Sequence, residues 1–307
     1  MKHLFFLFAF ILALSLTLWP QQVQKAEIEA QSSQNLPLWF LYQQSLSEFR
    51  KGNVTESVTY LKKIQEEHGE IPEALVLMGR VYEKEGEIRI AEQFYQRALE
   101  LGKQFYILEE KYNVYYWLAN LYAIQKRYKD YEKILLELLS FHPESGGRDF
   151  VRFRDAVLQS MINRGIETTL QLYRLKQDFA TRANLLLGIF YCRTHRSDKA
   201  ILHLTLGQIA IFSALIEEWR LIDPNYQFKD LETLLSQTIR RPSLRQYLEE
   251  SRAWEGMYYL AASFFLNGLR DPAKELWEVT ARYGDGEWKL RSERQLKNPQ
   301  REPMIGY

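Results

Sequence analysis

Between Ile71 and Leu101 the chain reads IPEALVLMGRVYEKEGEIRIAEQFYQRALEL, and apolar positions fall at helical spacing twice within it. Leu75, Met78, Gly79 and Tyr82 share one face of a first predicted helix. After the polar break EKEGE, Ala91, Tyr95, Ala98 and Leu99 mark one face of a second. Gly79 and Ala91 are small enough to let two antiparallel helices approach closely, and Gly86 gives the turn a permissive backbone. Two amphipathic helices of this kind cannot bury both of their faces alone, so the pattern calls for a neighbour on each side.

The pattern recurs along the chain. Thirty-four residues before Gly86 stands Gly52, with Ser45 and Ser57 at the small-residue positions and Leu61 and Ile64 on the second helix. In the next copy forward, Leu118, Ala119 and Tyr122 are followed by Leu135, Leu138 and Leu139, with Pro143 at the end; its offset is 40 residues. A fourth copy carries Leu187, Gly188, Tyr191 and Ala200, with Asp198 expected to cap its second helix. A fifth carries Leu260, Ala261, Phe264, Gly268, Ala273 and Trp277, with Asp271 as expected N-cap and Pro272 in the first helical turn. Between these copies, residues 149–175 predict a helix pair around Gly165, and residues 215–250 predict helices interrupted at DPNYQ and RRPS.

Leu-Gly, then Tyr, a Gly turn, Ala, an aromatic residue and Ala-Leu resemble the tetratricopeptide repeat. The resemblance covers residues 37–287, strongly in three copies. It implies an all-α fold, a right-handed superhelical solenoid of helix hairpins, with the first helix of each hairpin lining a groove for a peptide or partner helix. On that basis the groove residues are Arg50, Arg80, Lys84, Asn113, Tyr116, Asn120, Arg182, Arg193, Tyr258 and Phe265. An Asn in such a groove holds a peptide backbone through its two-way amide, and an Arg pairs with a carboxylate. Family members that clamp a C-terminal carboxylate use a Lys and an Asn on the first inner helix. Tyr42 and Leu46 stand there in this chain, which argues against a clamp of that type.

The N-terminus follows a different pattern. Lys2 and His3 precede an apolar run from Leu4 to Trp19, broken only by Ser15 and Thr17. At about 1.5 Å per residue the run is shorter than a ~30 Å hydrocarbon core. Residues 1–20 therefore read as a signal peptide or an uncleaved signal anchor, and everything after Pro20 is expected outside the cytoplasm. Residues 21–36 read as a polar spacer and 288–307 as a basic, flexible tail. The segment AILHLTLGQIAIFSALIEEW (200–219) is apolar enough for a second span. His203 and Gln208 interrupt it and Gly207 is expected to break the helix, so buried central helices are the preferred reading.

Composition narrows the function. Forty basic against 39 acidic residues leave a net charge of +1, without the basic excess of a nucleic-acid binder. Cys192 is the single cysteine, expected as a buried thiol. His195 reads as a solvated turn residue and His203 as a core histidine. No phosphate loop, nucleophile elbow or zinc-protease pattern appears, which leaves no catalytic, cofactor or metal residue to name. The expectation is a non-enzymatic scaffold for protein–protein interaction in a bacterial periplasm or cell envelope, serving a machine such as a flagellar or secretion apparatus. Its partner would be a protein component of an envelope complex. Inner-membrane association through residues 1–20 and self-association stay open. Two rivals remain: a transporter-associated accessory that binds a solute or hydrophobic ligand, and, more remotely, a cell-wall turnover enzyme.

Overall fold

The computed structural model describes residues 36–142 and 148–306. The apolar N-terminal run, nearly all of the spacer and Pro143 lie outside these described residues. Among the described residues there are fourteen helices and no strand. The chain divides into two compact units at Tyr106/Ile107.

The first unit holds α1 (Leu38–Lys51), α2 (Val54–His68), α3 (Pro72–Lys84) and α4 (Ile88–Glu100). Helices α1 and α2 form one hairpin, α3 and α4 the next, and α2 packs on α3. Their shared core includes Leu41, Leu61, Ile64, Leu77, Met78 and Val81. Each such side chain removed from water stabilises the fold by about 1.5–3 kcal/mol. The small-residue positions bring the helices together as expected. Ser45 and Ser57 are fully buried with their hydroxyls 2.9 Å apart. A Cβ on Gly79 would stand 2.5 Å from Cε1 of the buried Tyr95, so only glycine lets that ring lie across α3.

The second unit holds three hairpins of the same kind: α5 (Leu108–Ile124) with α6 (Tyr128–Ser140), α8 (Phe179–Arg193) with α9 (Ser197–Ile222), and α12 (Ala253–Leu266) with α13 (Arg270–Tyr283). Helix α6 packs on α8 and α9 on α12, so each second helix meets the first helix of the next hairpin. Direct contacts α5–α8 and α8–α12 set the three first helices side by side. Helix α7 (Arg148–Leu172) packs on α9 and breaks at Gly165 (φ 77°), giving the helix pair read from the sequence. Helices α10 (Leu231–Thr238), α11 (Pro242–Glu250) and α14 (Gly286–Lys297) cover α13, α12 and α13 respectively.

One backbone feature marks all five hairpins. The residue two places before each second helix has a left-handed conformation: Gly52, Gly86, Lys126, His195 and Gly268, with φ of 90°, 82°, 58°, 55° and 81°. In every hairpin the residue just after it donates its N–H to a carbonyl near the end of the first helix: Asn53 to Glu48, Glu87 to Tyr82, Arg127 to Tyr122, Arg196 to Tyr191 and Leu269 to Phe264.

Several local expectations change. Gly207 does not break α9, which runs unbroken from Ser197 to Ile222. A Cβ there would stand 3.4 Å from the Leu185 nitrogen, so Gly207 is a point of close approach to α8. Asp198 and Asp271 do not cap their helices. Each lies in the first turn, where a carboxylate favours the helix dipole. Residues 286–297 form a helix on α13, and residues beyond Pro299 lie against α8, α12 and α14. Helix α9 is long and apolar enough to cross a membrane, but 78% of its most apolar window is buried within the fold. Cys192 is fully buried, which pushes its thiol up to about 12.

Candidate partner-binding surface

Arg50, Arg80 and Lys84 belong to the first unit. Arg80 and Lys84 share the ring of Phe49, at 5.1 and 5.3 Å from its centroid, with Arg50 exposed beside it in sequence. This pairing follows from spacing, since residues four apart on α3 project over the same patch of α1.

The other seven residues belong to the second unit. Asn113, Asn120, Arg182 and Arg193 are exposed on α5 and α8, whereas Tyr116 and Tyr258 are buried. Tyr116 donates its hydroxyl to the Phe179 carbonyl, and Arg182 covers its ring at 4.5 Å. Tyr258 donates to the Glu302 carboxylate. Neither ring is offered to a ligand, so both leave the set of contact residues. Phe265 turns away from this face and packs on Trp277 of α13 at 5.8 Å.

Arg193 shares one cavity wall with two residues that sequence reasoning missed, Arg252 and Glu255 at the start of α12, whereas Arg182 stands apart from it over the Tyr116 ring. Burial raises the pKa of the nearby Tyr131 hydroxyl, with Glu255 adding to the rise and the positive charges of Arg252, Arg182 and Arg193 opposing it. Arg252 is itself left-handed (φ 56°) and pairs with Glu255 at 2.5 Å. Beside this charge cluster lies a cavity of about 200 Å³ walled by Tyr128, Tyr131, Leu186, Ile189, Phe190 and Tyr259. An apolar slot rimmed by Arg193 and the Arg252–Glu255 pair is a surface suited to a peptide with an apolar side chain and a nearby polar or acidic group.

The chain's own C-terminal segment lies at this slot. The Ile305 N–H donates to the Arg193 carbonyl at 3.0 Å, and Ile305 borders the cavity. His195 is exposed in its turn, as expected, and its Nε2 also stands 2.9 Å from the Glu302 carbonyl oxygen. The Glu302 side chain is buried, 5% exposed, and accepts from Tyr258 and from Arg291 Nη2 at 2.5 Å. The Arg291 guanidinium rests 4.5, 5.5 and 5.1 Å from the rings of Tyr258, Tyr259 and Trp288. Burial opposes its charge, but Tyr258, Tyr259 and Glu302 outweigh that and raise its pKa. Gln295 grips the backbone of Gln300 in both directions, accepting at 2.7 Å and donating at 3.1 Å. The only sequence signal for these contacts was the acid of REPMI after a basic run.

A second concavity of about 620 Å³ lies between α6, α7, α8 and α9 of the same unit. Phe150, Phe153, Leu202 and Leu206 line it, with Arg154 and Arg174 among its polar groups. His203 is on its wall, 2.7 Å from Asn184 through Nδ1, and burial lowers its pKa to about 4.

Comparison with known proteins bears on the hairpins. Residues 72–104, spanning α3, α4 and the turn that follows, match the family model described as tetratricopeptide repeat. An uncharacterized protein of Treponema pallidum (strain Nichols) is 28% identical over 189 residues, 61% of this chain and 50% of its own length; the match thus spans about half of that relative. An uncharacterized protein of Borreliella burgdorferi (strain ATCC 35210 / DSM 4680 / CIP 102532 / B31) is 23% identical over 286 residues, 84% of this chain and 85% of the relative. Among solved structures, PilF of Pseudomonas aeruginosa aligns over 84% of this chain and 97% of its own, at 15% identity and a TM-score of 0.36.

Proposed function

We propose that this chain, built on tetratricopeptide-type helix hairpins, is a non-catalytic scaffold that holds a protein partner on the exposed faces of its first helices. The observation that carries this reading is the apolar slot of the second unit with Arg193 and Arg252 at its edge. Exposed arginines steer acidic partners and pair with carboxylates, while the slot supplies the apolar anchor that interfaces need for affinity. The Lys2-led apolar run supports a place outside the cytoplasm, in the cell envelope, where the scaffold would serve assembly of a machine such as a flagellar or secretion apparatus.

In-cell crosslinking of the tagged full-length protein, followed by mass spectrometry, tests the reading. A discrete partner is expected that disappears in the double variant Arg182→Glu, Arg193→Glu while the protein level holds. Capture of the same partner by wild type and variant would sink the surface assigned here. The mass of the intact protein recovered from cells reports whether residues 1–20 are removed.

The 620 Å³ cavity favours a second reading, an accessory that carries an amphipathic anionic ligand: its apolar lining and Arg154 and Arg174 suit such a molecule. Native mass spectrometry of the purified protein separates the two, since a retained small molecule speaks for the accessory.

A further inference from the structure

We infer that the C-terminal segment Glu302–Ile305 is a built-in ligand of the second unit's slot, and that a partner enters by displacing it with a segment of the same chemistry. That chemistry is an extended peptide carrying an acidic side chain and, three residues on, an aliphatic one. This deepens the scaffold reading and rests on it.

Three features distinguish the segment from a tail that merely lies on the surface. First, a carboxylate is buried, and it is met by both an arginine and a tyrosine hydroxyl. A buried carboxylate is destabilising unless paired and hydrogen-bonded, so Tyr258 and Arg291 form a receptor for that group. Second, the backbone of the segment is read as well as its side chains. His195 meets the carbonyl of Glu302, the Arg193 carbonyl takes the N–H of Ile305, and Gln295 holds Gln300. Contacts to backbone groups serve any extended peptide that keeps the register. Third, Ile305 borders the aromatic slot, while Gly306 borders a wide opening beside Lys126, Lys129 and the Arg127–Asp130 ion pair. The opening gives an incoming chain a cationic approach next to the position that the segment occupies.

The segment emerges directly from α14, only a few residues before Glu302, so its local concentration at the slot is on the order of millimolar. A free peptide of ordinary affinity loses to it, and a partner wins by extending its contacts to Arg252 at the edge of the slot, which the segment leaves exposed.

A fluorescent peptide of residues 299–306, PQREPMIG, is titrated into two full-length proteins, wild type and the double variant Glu302→Gln, Ile305→Asp. The expected result is binding at least about tenfold tighter to the variant, because its competitor has been weakened. Adding Arg291→Gln to that variant should return the affinity to the wild-type level. Equal binding to both proteins, or none to the variant, would overturn the inference. Hydrogen exchange on wild type supplies a check free of substitutions: the Ile305 amide is expected to exchange at least about tenfold more slowly than in the free peptide. An unprotected Ile305 amide overturns the inference as well. If these results are negative while crosslinking still depends on Arg182 and Arg193, the built-in ligand fails and the scaffold stands.

Discussion

Gln208 lies wholly buried in α9, and neither atom of its amide finds a hydrogen-bond partner among the described residues. It packs so tightly on Gly256 of α12 that a Cβ there would stand 1.9 Å from its Nε2. An orphaned buried amide costs about 1–3 kcal/mol, whereas leucine fills a similar volume without polar atoms. Gln208→Leu is therefore expected to stabilise the protein by about 1–2 kcal/mol, read as a higher urea midpoint at unchanged slope. Residue-level readings succeeded where geometry leaves one choice: Gly86 at a turn and Gly79 beneath a ring. Tyr116 and Tyr258 escaped because a tyrosine next to the packing stripe can turn either way. Each turned inward once its hydroxyl had an acceptor, the Phe179 carbonyl in one case and the Glu302 carboxylate in the other.

At the scale of the element, the left-handed residue before each second helix is the common device. Glycine adopts it freely at three of the five places, whereas Lys126 and His195 carry a Cβ against the adjacent carbonyl. Lys126→Gly should relieve that strain and raise stability by about 0.5–1 kcal/mol, measured by thermal or urea unfolding. The same change at His195 would also remove the ring that meets the Glu302 carbonyl, so Lys126 is the cleaner site. The third and fourth hairpins had to be found from the small and apolar residues of their helix faces, because their turns lack the glycine that signals them. Helix α14 stayed hidden for a different reason. Its buried residues are Ser292 and Gln295, so no apolar period marks it, and its charges resemble those of a solvated tail.

At the scale of the whole molecule, acid is expected to loosen the fold before most carboxylates titrate. His203 is neutral in the folded protein, with a pKa of about 4, against an unfolded value near 6.5. Between these values the unfolded chain binds the extra proton, so stability is full above about pH 6.5 and falls as pH drops toward 4. Because His203 lines an open cavity, the loss is expected to be about 2 kcal/mol rather than the full linkage value. Denaturant unfolding of wild type and His203→Gln at pH 7 and pH 4.5 checks this: the stability gap between the proteins should narrow by that amount in acid. Burial of α9 bears on the life of the chain before it folds. If the N-terminal apolar run sends the protein across a bilayer, α9 reaches the export channel bare, with none of the helices that later cover it. To the channel it is one more greasy stretch that could slip sideways into lipid. On that route His203 and Gln208 would be the polar interruptions that keep it moving. The amide that sits unpartnered in the finished protein would then act as a pass through the membrane, and a leucine in its place would strengthen the fold while stranding more chains halfway.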